Sequence, residues 1–201
     1  MGRRPRLPDP ADLTKFCEIE DMRRQVEREL GPIDILIANA GGNAAKPGPI
    51  EETSEAEWRA ALDGNLTATF LTVKSVLPGM KVRKGGNIVT ISSAAARRPH
   101  PNSPVAYAAA KAGIEIFTQD LAAQAGPYGT HANCIAPETI LTERNKERIP
   151  PQQQDALCEL HPIRRLGTPD DVALAALYLA SDDTSWVAGI VFDVTGGAVM
   201  V

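Results

Sequence analysis

The chain has 201 residues, of which 43% are hydrophobic and 23% charged, and its formal net charge is -4 at pH 7. This length and composition suit one globular domain over residues 1–201, and the acidic balance argues against a nucleic-acid partner, which would call for a basic stripe. No apolar run approaches the roughly 20 residues of a membrane-spanning helix, and the opening lacks the apolar core of a signal peptide. We therefore expect a cytoplasmic protein without a membrane partner.

Apolar runs alternate with amphipathic helical patterns along the chain, which is typical of an α/β protein with a parallel sheet. Apolar residues three or four positions apart predict a helix over residues 16–30, which Gly31 and Pro32 end. A short apolar run then predicts a buried strand over residues 33–38, closed by the turn Asn39-Ala40-Gly41-Gly42.

The same alternation continues to the end of the chain. Ser54 and Glu57 have the spacing of a capping box at the start of a long helix that the pattern extends to about Pro78. The remaining predicted elements are a strand over 88–91, a helix over 105–125, a strand over 132–136, a helix from the N-cap Thr168 to about Ala180, and a strand over 189–194. Residues 139–160 are polar and rich in glutamine, which predicts a mobile surface segment.

Cysteine and histidine are too scattered to suggest a metal centre. Cys17, Cys134 and Cys158 form no C-x-x-C pair, and the histidines lie equally far apart. We therefore expect bystander thiols and no metal site.

Tyr107 and Lys111 are the first candidate catalytic residues. They lie four apart on a predicted helix, so their side chains share one face. A free phenol has a pKa of about 10 and is a poor acid–base catalyst at neutral pH, whereas a neighbouring ammonium is expected to lower that pKa. This spacing also occurs by chance in many helices, so the pair alone is a weak motif.

Ser93 and Asn65 are two further candidate site residues. Ser93 ends the strand over 88–91, and ligands bind at the carboxyl ends of such strands. Ser92 beside it is interpreted as a hydroxyl that caps backbone. Asn65 falls within the long helix, where asparagine is a mediocre helix former; by itself it could equally be a satisfied polar residue at a helix interface.

Together these residues resemble the short-chain dehydrogenase/reductase family. Asn39-Ala40-Gly41 is similar to its N-A-G turn, and Asn65, Ser93, Tyr107 and Lys111 occur in the order of its catalytic tetrad. The stretches 108–113 and 165–173 match two further family signatures, and the resemblance runs from about Asp12 to Val201. It is strongest to the 3-oxoacyl-[acyl-carrier-protein] reductase branch.

The resemblance implies a fold, a reaction and a site. The fold would be a Rossmann-like, doubly wound parallel sheet flanked by helices, and the reaction a hydride transfer between NAD(P) and a carbonyl or alcohol substrate. Tyr107 would act as the acid, Ser93 would hold the carbonyl oxygen, Lys111 would hold the ribose, and Asn65 would position a water. The cofactor-binding residues would be Asp12, Asn39, Ala40, Gly41, Tyr107, Lys111, Pro137, Ile140 and Thr142. A homodimer or homotetramer is expected.

The chain also departs from the family pattern. It lacks a T-G-x-x-x-G-x-G turn, where the family receives the cofactor pyrophosphate, and we expect the first βαβ unit to be missing through an N-terminal truncation. The strand over 33–38 would then present an unpaired apolar edge, and the choice between NAD and NADP is unreadable. The alternative is a non-catalytic, oligomer-forming relative or a truncated product that binds no cofactor. Glu138 and Thr195 replace the family's usual Gly and Asp.

Overall fold

The computed structural model describes residues 10–43, 45–99 and 103–200. Within these ranges the elements follow in the order α1 (Phe16–Leu30), β1 (Ile35–Ala38), α2 (Glu55–Leu62), α3 (Ala68–Arg83), β2 (Gly86–Ile91), α4 (Val105–Ala125), β3 (Thr130–Pro137), α5 (Glu143–Arg148), α6 (Pro151–Glu159), α7 (Pro169–Leu179) and β4 (Val191–Val194). In these ranges, no helix has both the length and the apolar character needed to cross a lipid bilayer.

The strands form one parallel sheet in the order β1-β2-β3-β4. In its register Ile37 lies opposite Val89, and Ile91 lies opposite Ile135. Because all four strands run the same way, their carboxyl ends meet at one edge, where open α/β sheets bind their ligands.

Helices cover both faces of the sheet, which confirms the predicted doubly wound α/β class. Successive strand residues point to opposite faces, so Ile88 and Val89 belong to different core clusters. The cluster beneath α3 and α4 contains Val73, Val76, Met80, Ile88, Leu121, Ala122, Ala125 and Ala132. The cluster beneath α7 contains Val89, Ile135, Ala175 and Leu179.

Strand β1 lies at the edge of the sheet, as the sequence predicts. Among the described residues it pairs with β2 alone, and the side chains of Ile35 and Ile37 are 50% and 40% exposed. An exposed apolar edge of this kind favours pairing with another strand.

Most predicted helix limits are confirmed, and one is wrong. Helices α1 and α4 have the predicted limits, and the capping box of Ser54 and Glu57 begins α2. The long helix does not end at Pro78 but continues to Arg83, where Lys84 adopts a left-handed conformation. We attribute the continuation to Met80, which is fully buried in the core beneath α3 and stabilises the last turn.

The polar segment over residues 139–160 is more regular than its composition suggested. It contains two short helices, α5 and α6. Thr142 caps α5 by accepting a hydrogen bond from the backbone N–H of Asn145 at 3.2 Å, and Pro151 occupies the first position of α6. These local signals outweigh the scarcity of apolar residues.

Candidate active site

The carboxyl edge of the sheet borders a cavity of about 770 Å³. It lies between the ends of β1, β2 and β3, the start of α4, and helices α5 and α6. The predicted site residues that line it are Asn39, Gly41, Ser93, Tyr107, Lys111, Pro137, Ile140 and Thr142. The structure therefore brings together most of the residues that the sequence selected.

Helix α4 presents Tyr107 and Lys111 to this cavity. Ala106 and Ala110 are fully buried beside them, so the helix approaches the sheet closely and its next positions face the strand ends. The Lys111 ammonium donates a hydrogen bond to the backbone oxygen of Ile91 at 2.8 Å, and its Nζ lies 5.6 Å from the centroid of the Tyr107 ring. The expected shared face of the two side chains is confirmed.

Ser93 lies just beyond the end of β2, in extended backbone that leads into a 3₁₀ turn over residues 94–96. Its hydroxyl oxygen accepts a hydrogen bond from the backbone N–H of Ala95 at 3.2 Å and is hydrogen-bonded to the Tyr107 phenol. Ser93 is therefore held in place by the turn and connected to the predicted acid.

The expectation that Lys111 lowers the pKa of Tyr107 is wrong. Burial raises the pKa of the Tyr107 phenol, and the hydrogen bond with Ser93 opposes only part of that rise. Lys111 lies over the ring and directs a proton to a backbone carbonyl. Burial also lowers the pKa of Lys111 from 10.5 to about 8. The phenol is thus held protonated at neutral pH, the state that a general acid requires.

Asn65 lies in a π-helical turn, Asp63–Thr67, between α2 and α3, and its side chain is buried. The amide group donates to the backbone oxygens of Gly42 at 3.0 Å and Ala61 at 2.8 Å, and it accepts from the N–H of Gly42 at 3.1 Å. Both amide protons are used, so one lone pair of Oδ1 remains for a water. Asn65 is not among the described lining residues of the cavity; it fixes the turn after β1.

Gly41 makes that contact possible. Its φ is +141°, and a Cβ built there would lie 2.6 Å from Oδ1 of Asn65. Any larger residue would displace the asparagine or strain the turn. The N-A-G turn and Asn65 therefore depend on each other sterically.

Of the remaining predicted cofactor residues, some line the cavity and others do not. Ile140 forms a bridge with Gly167, and Thr142 caps α5. Asp12 lies before α1 and accepts hydrogen bonds from Thr14. Neither Asp12 nor Ala40 is among the described lining residues of the cavity.

A buried polar network behind the site escaped the sequence analysis. The Ser92 hydroxyl contacts the backbone oxygen of Lys111 at 3.0 Å and the Glu115 carboxylate at 2.9 Å. Arg97 then links Glu115, at 3.1 Å, to Asp193 on β4, at 3.4 Å. Ser92 was expected to cap backbone and does so. The pair of Arg97 and Asp193 joins residues 96 positions apart in the chain, and no local pattern signals such a contact.

The two substituted family positions have clear surroundings. Glu138 follows β3, its side chain is 7% exposed, and it lies 3.9 Å from Arg98. The Thr195 hydroxyl donates to the backbone oxygen of Val199 at 3.2 Å and accepts from its N–H at 3.4 Å. Thr195 therefore stabilises the turn after β4.

A second cavity, of about 630 Å³, lies between α7, β4 and residues 161–167 and shares the lining residues Glu138, Thr139 and Ile140 with the first. Its lining is mostly apolar and includes Leu174, Tyr178 and Phe192. None of the predicted catalytic residues lines it. In the described ranges, no group of three or more His, Cys, Asp or Glu residues is arranged to hold a metal ion.

Several polar groups of the first cavity fit a hydroxyl-rich ligand. Oδ1 of Asn43 and Oγ of Ser103 are buried there without a hydrogen-bond partner in the described structure, although buried polar groups are usually paired. The ammonium of Lys111 uses one of its three protons on Ile91. These free donors and acceptors suit the ribose and carboxamide of a nicotinamide cofactor.

Fold and site define an α/β protein with a polar, acid-bearing cavity at the carboxyl edge of a parallel sheet. Residues 6–199 match the family profile described as enoyl-(acyl carrier protein) reductase. The chain belongs to the short-chain dehydrogenase/reductase family, whose members are oxidoreductases. The predicted family is confirmed.

Two curated relatives and two solved structures illustrate the likeness. An uncharacterised oxidoreductase of Schizosaccharomyces pombe is 40% identical over 190 residues, which cover 93% of this chain and 72% of the relative. The 7α-hydroxysteroid dehydrogenase of Escherichia coli is 37% identical, with 94% and 72% covered. A 3-oxoacyl-[acyl-carrier protein] reductase of Brucella melitensis with bound NAD has a TM-score of 0.87 at 34% identity, covering 97% of this chain and 72% of that one. ElxO with bound NADP has a TM-score of 0.88 at 28% identity, with 93% and 75% covered.

Proposed function

We propose that the protein is an NAD(P)-dependent oxidoreductase of the cytoplasm that interconverts a carbonyl compound and an alcohol. The observation that carries this proposal is the partly buried Tyr107 phenol, which is hydrogen-bonded to Ser93 and lies beneath the Lys111 ammonium in one cavity. Nicotinamide cofactors supply the hydride in such reactions. Structural neighbours with NAD and with NADP both occur, so either cofactor remains eligible.

Each polar group has a distinct task in this proposal. Tyr107 donates its proton to the carbonyl oxygen of the substrate during reduction, and the Ser93 hydroxyl donates a second hydrogen bond to that oxygen. The two remaining protons of Lys111 hold the ribose hydroxyls of the cofactor. Asn65 keeps the turn after β1 in the shape that lets the cofactor approach the backbone of Gly41.

Replacing Tyr107 with phenylalanine tests the proposal. Loss of a positioned general acid slows turnover by about 10²- to 10⁴-fold, while the fold and cofactor binding should persist because the ring is kept. Reduction of a panel of ketones would be followed by cofactor absorbance, and binding of NADH and NADPH by fluorescence. Tyr128→Phe is the matched control, since Tyr128 is 46% exposed and does not line the cavity. Undiminished activity of the Tyr107→Phe variant would refute the assigned acid.

A non-catalytic, oligomer-forming protein is the second candidate. Phe70 on α3 and Ile116 on α4 are 43% and 59% exposed, and apolar surface of this kind favours association. Helix α4 also carries Tyr107 and Lys111, so a homodimer or homotetramer agrees with either function. Saturable NADH or NADPH binding would favour the enzyme, and an oligomer that binds neither would favour the scaffold.

A further inference from the structure

Three cationic side chains border the Tyr107 cavity without a carboxylate partner in the described structure. Lys46 lies in the loop after β1, and Arg144 and Arg148 belong to α5. None of these three side chains forms an ion pair with another described residue, although other cations nearby are paired. Lys146, for example, lies 2.8 Å from Glu143 on the same helix.

The positive charge at the rim contrasts with the charge of the whole chain. The formal net charge of the protein is -4, yet the described residues that line the cavity include these three cations and Lys111 against the single carboxylate of Glu138. Glu138 is itself within 3.9 Å of Arg98. The excess of positive charge along the cavity lining therefore attracts anions.

Arg144 and Arg148 border different parts of the cavity. Arg144 reaches across to the loop after β1, where its guanidinium donates to the backbone oxygen of Asn43 at 3.4 Å. It lies beside the turn that the proposed function gives to the cofactor, so it is suited to cofactor phosphates. Arg148 follows one helical turn later, on the same face of α5, and lines the cavity with the apolar side chains of Ile149 and Leu157.

We propose that the substrate is a carbonyl compound or alcohol that carries an anionic group, held by Arg148 and Lys46. The apolar lining residues Ile149 and Leu157 would contact the carbon chain that joins the anion to the reacting carbon. The inference rests on the proposed function, because it places the reacting carbonyl at Tyr107. It adds a substrate class that the catalytic residues alone leave open.

The test compares matched ketones that differ in charge. Levulinate and its longer methyl-ketone homologues would each be assayed beside the corresponding methyl ester, with NADH and NADPH. Exposed ion pairs stabilise by less than about 1 kcal/mol each, so two of them acting together predict about a tenfold higher kcat/KM for the acid of the best-fitting length. This preference should shrink as salt is added.

Variants separate the substrate from the cofactor as the source of the anion. Arg148→Gln and Lys46→Gln should each remove about threefold of the preference for the acid and leave the KM for both cofactors unchanged, since each removes one of the two ion pairs. Lys146→Gln is the matched control, because Lys146 lies on the same helix, is exposed and does not line the cavity. Arg144→Gln should raise the cofactor KM instead.

Two outcomes would overturn the inference. One is a wild-type enzyme that reduces acids and esters equally well. The other is a rise in cofactor KM in the Arg148 and Lys46 variants with the acid preference intact, which would assign these cations to cofactor phosphates. If no ketone is reduced, the proposed function fails separately. Calorimetric titration of the acids and esters then still decides the charge inference, because equal binding of both would refute it.

Discussion

Replacing the buried Lys111 with methionine should stabilise the protein at neutral pH while removing its activity. Lys111 is 5% exposed, and burial lowers its pKa from 10.5 to about 8. At about 1.4 kcal/mol for each pH unit, this lowering corresponds to about 3 kcal/mol of destabilisation at pH 7. Loss of the hydrogen bond to Ile91 offsets about 1 kcal/mol of the gain. Lys111→Met should therefore unfold at a higher urea concentration than the wild type.

The pH dependence of this gain identifies its cause. The unfolded chain keeps the lysine proton up to about pH 10.5, whereas the folded protein releases it near pH 8. Wild-type stability therefore rises with pH between these values relative to the variant. The advantage of Lys111→Met should fall by about 1 kcal/mol from pH 7 to pH 9 and by about 2.5 kcal/mol by pH 10.

Urea unfolding at several pH values measures this difference. Cys134, whose pKa burial raises to about 11, is present in both proteins, so its titration in the unfolded chain contributes about equally to both curves. The exposed Lys146→Met variant is the control and should track the wild type at every pH. A gap between Lys111→Met and wild type that stays constant, or widens with pH, would refute a buried ammonium.

Two further substitutions test the framework of the site. Gly41→Ala should destabilise the protein by about 2 kcal/mol in thermal melts, because of the positive φ of Gly41 and the close side chain of Asn65. Gly64→Ala is the control and should change little, since a Cβ at Gly64 would meet nothing within 4 Å. Equal melting temperatures of the two variants would contradict the steric argument. Glu115→Gln should cost about 1 to 3 kcal/mol in urea unfolding because it weakens charged hydrogen bonds in a largely buried network. Glu55→Gln is the control for Glu115→Gln, because Glu55 pairs with Arg59 at an exposed position and its replacement should cost less than about 1 kcal/mol.

The sequence predicted the fold wherever local signals and burial agree. Helix α4 begins after Pro104 and ends before Gly126-Pro127, and α7 begins at the capping box of Thr168 and Asp171. The assembly of Ser93 with Tyr107 was also predictable, because parallel strands end at one edge and the helix after β2 begins there. Periodicity missed the extension of α3 past Pro78, which depends on the tertiary burial of Met80.

The parts of the site that the sequence did not predict depend on distant contacts. Nothing near Asp193 in the chain indicates that its carboxylate will meet Arg97, because among the described strands β4 pairs with β3 alone. The pKa direction of Tyr107 was also missed. Residue spacing shows that an ammonium lies near the phenol. It does not show how deeply the phenol is buried, and burial is what raises the pKa of Tyr107.

The polar network of Ser92, Glu115 and Arg97 anchors the helix that carries the buried Lys111. An ammonium in this position destabilises the fold, and truncating the lysine would relieve that cost, so the helix that carries it needs firm anchorage elsewhere. Ser92 and Glu115 provide it, because one hydroxyl joins the backbone of Lys111 to the Glu115 side chain one turn later, and Arg97 extends the connection to β4. The charges of Glu115, Arg97 and Asp193 face one another, and partly buried ions are tolerated when they are paired in this way. These contacts hold α4 against the end of β2, where Tyr107 meets Ser93.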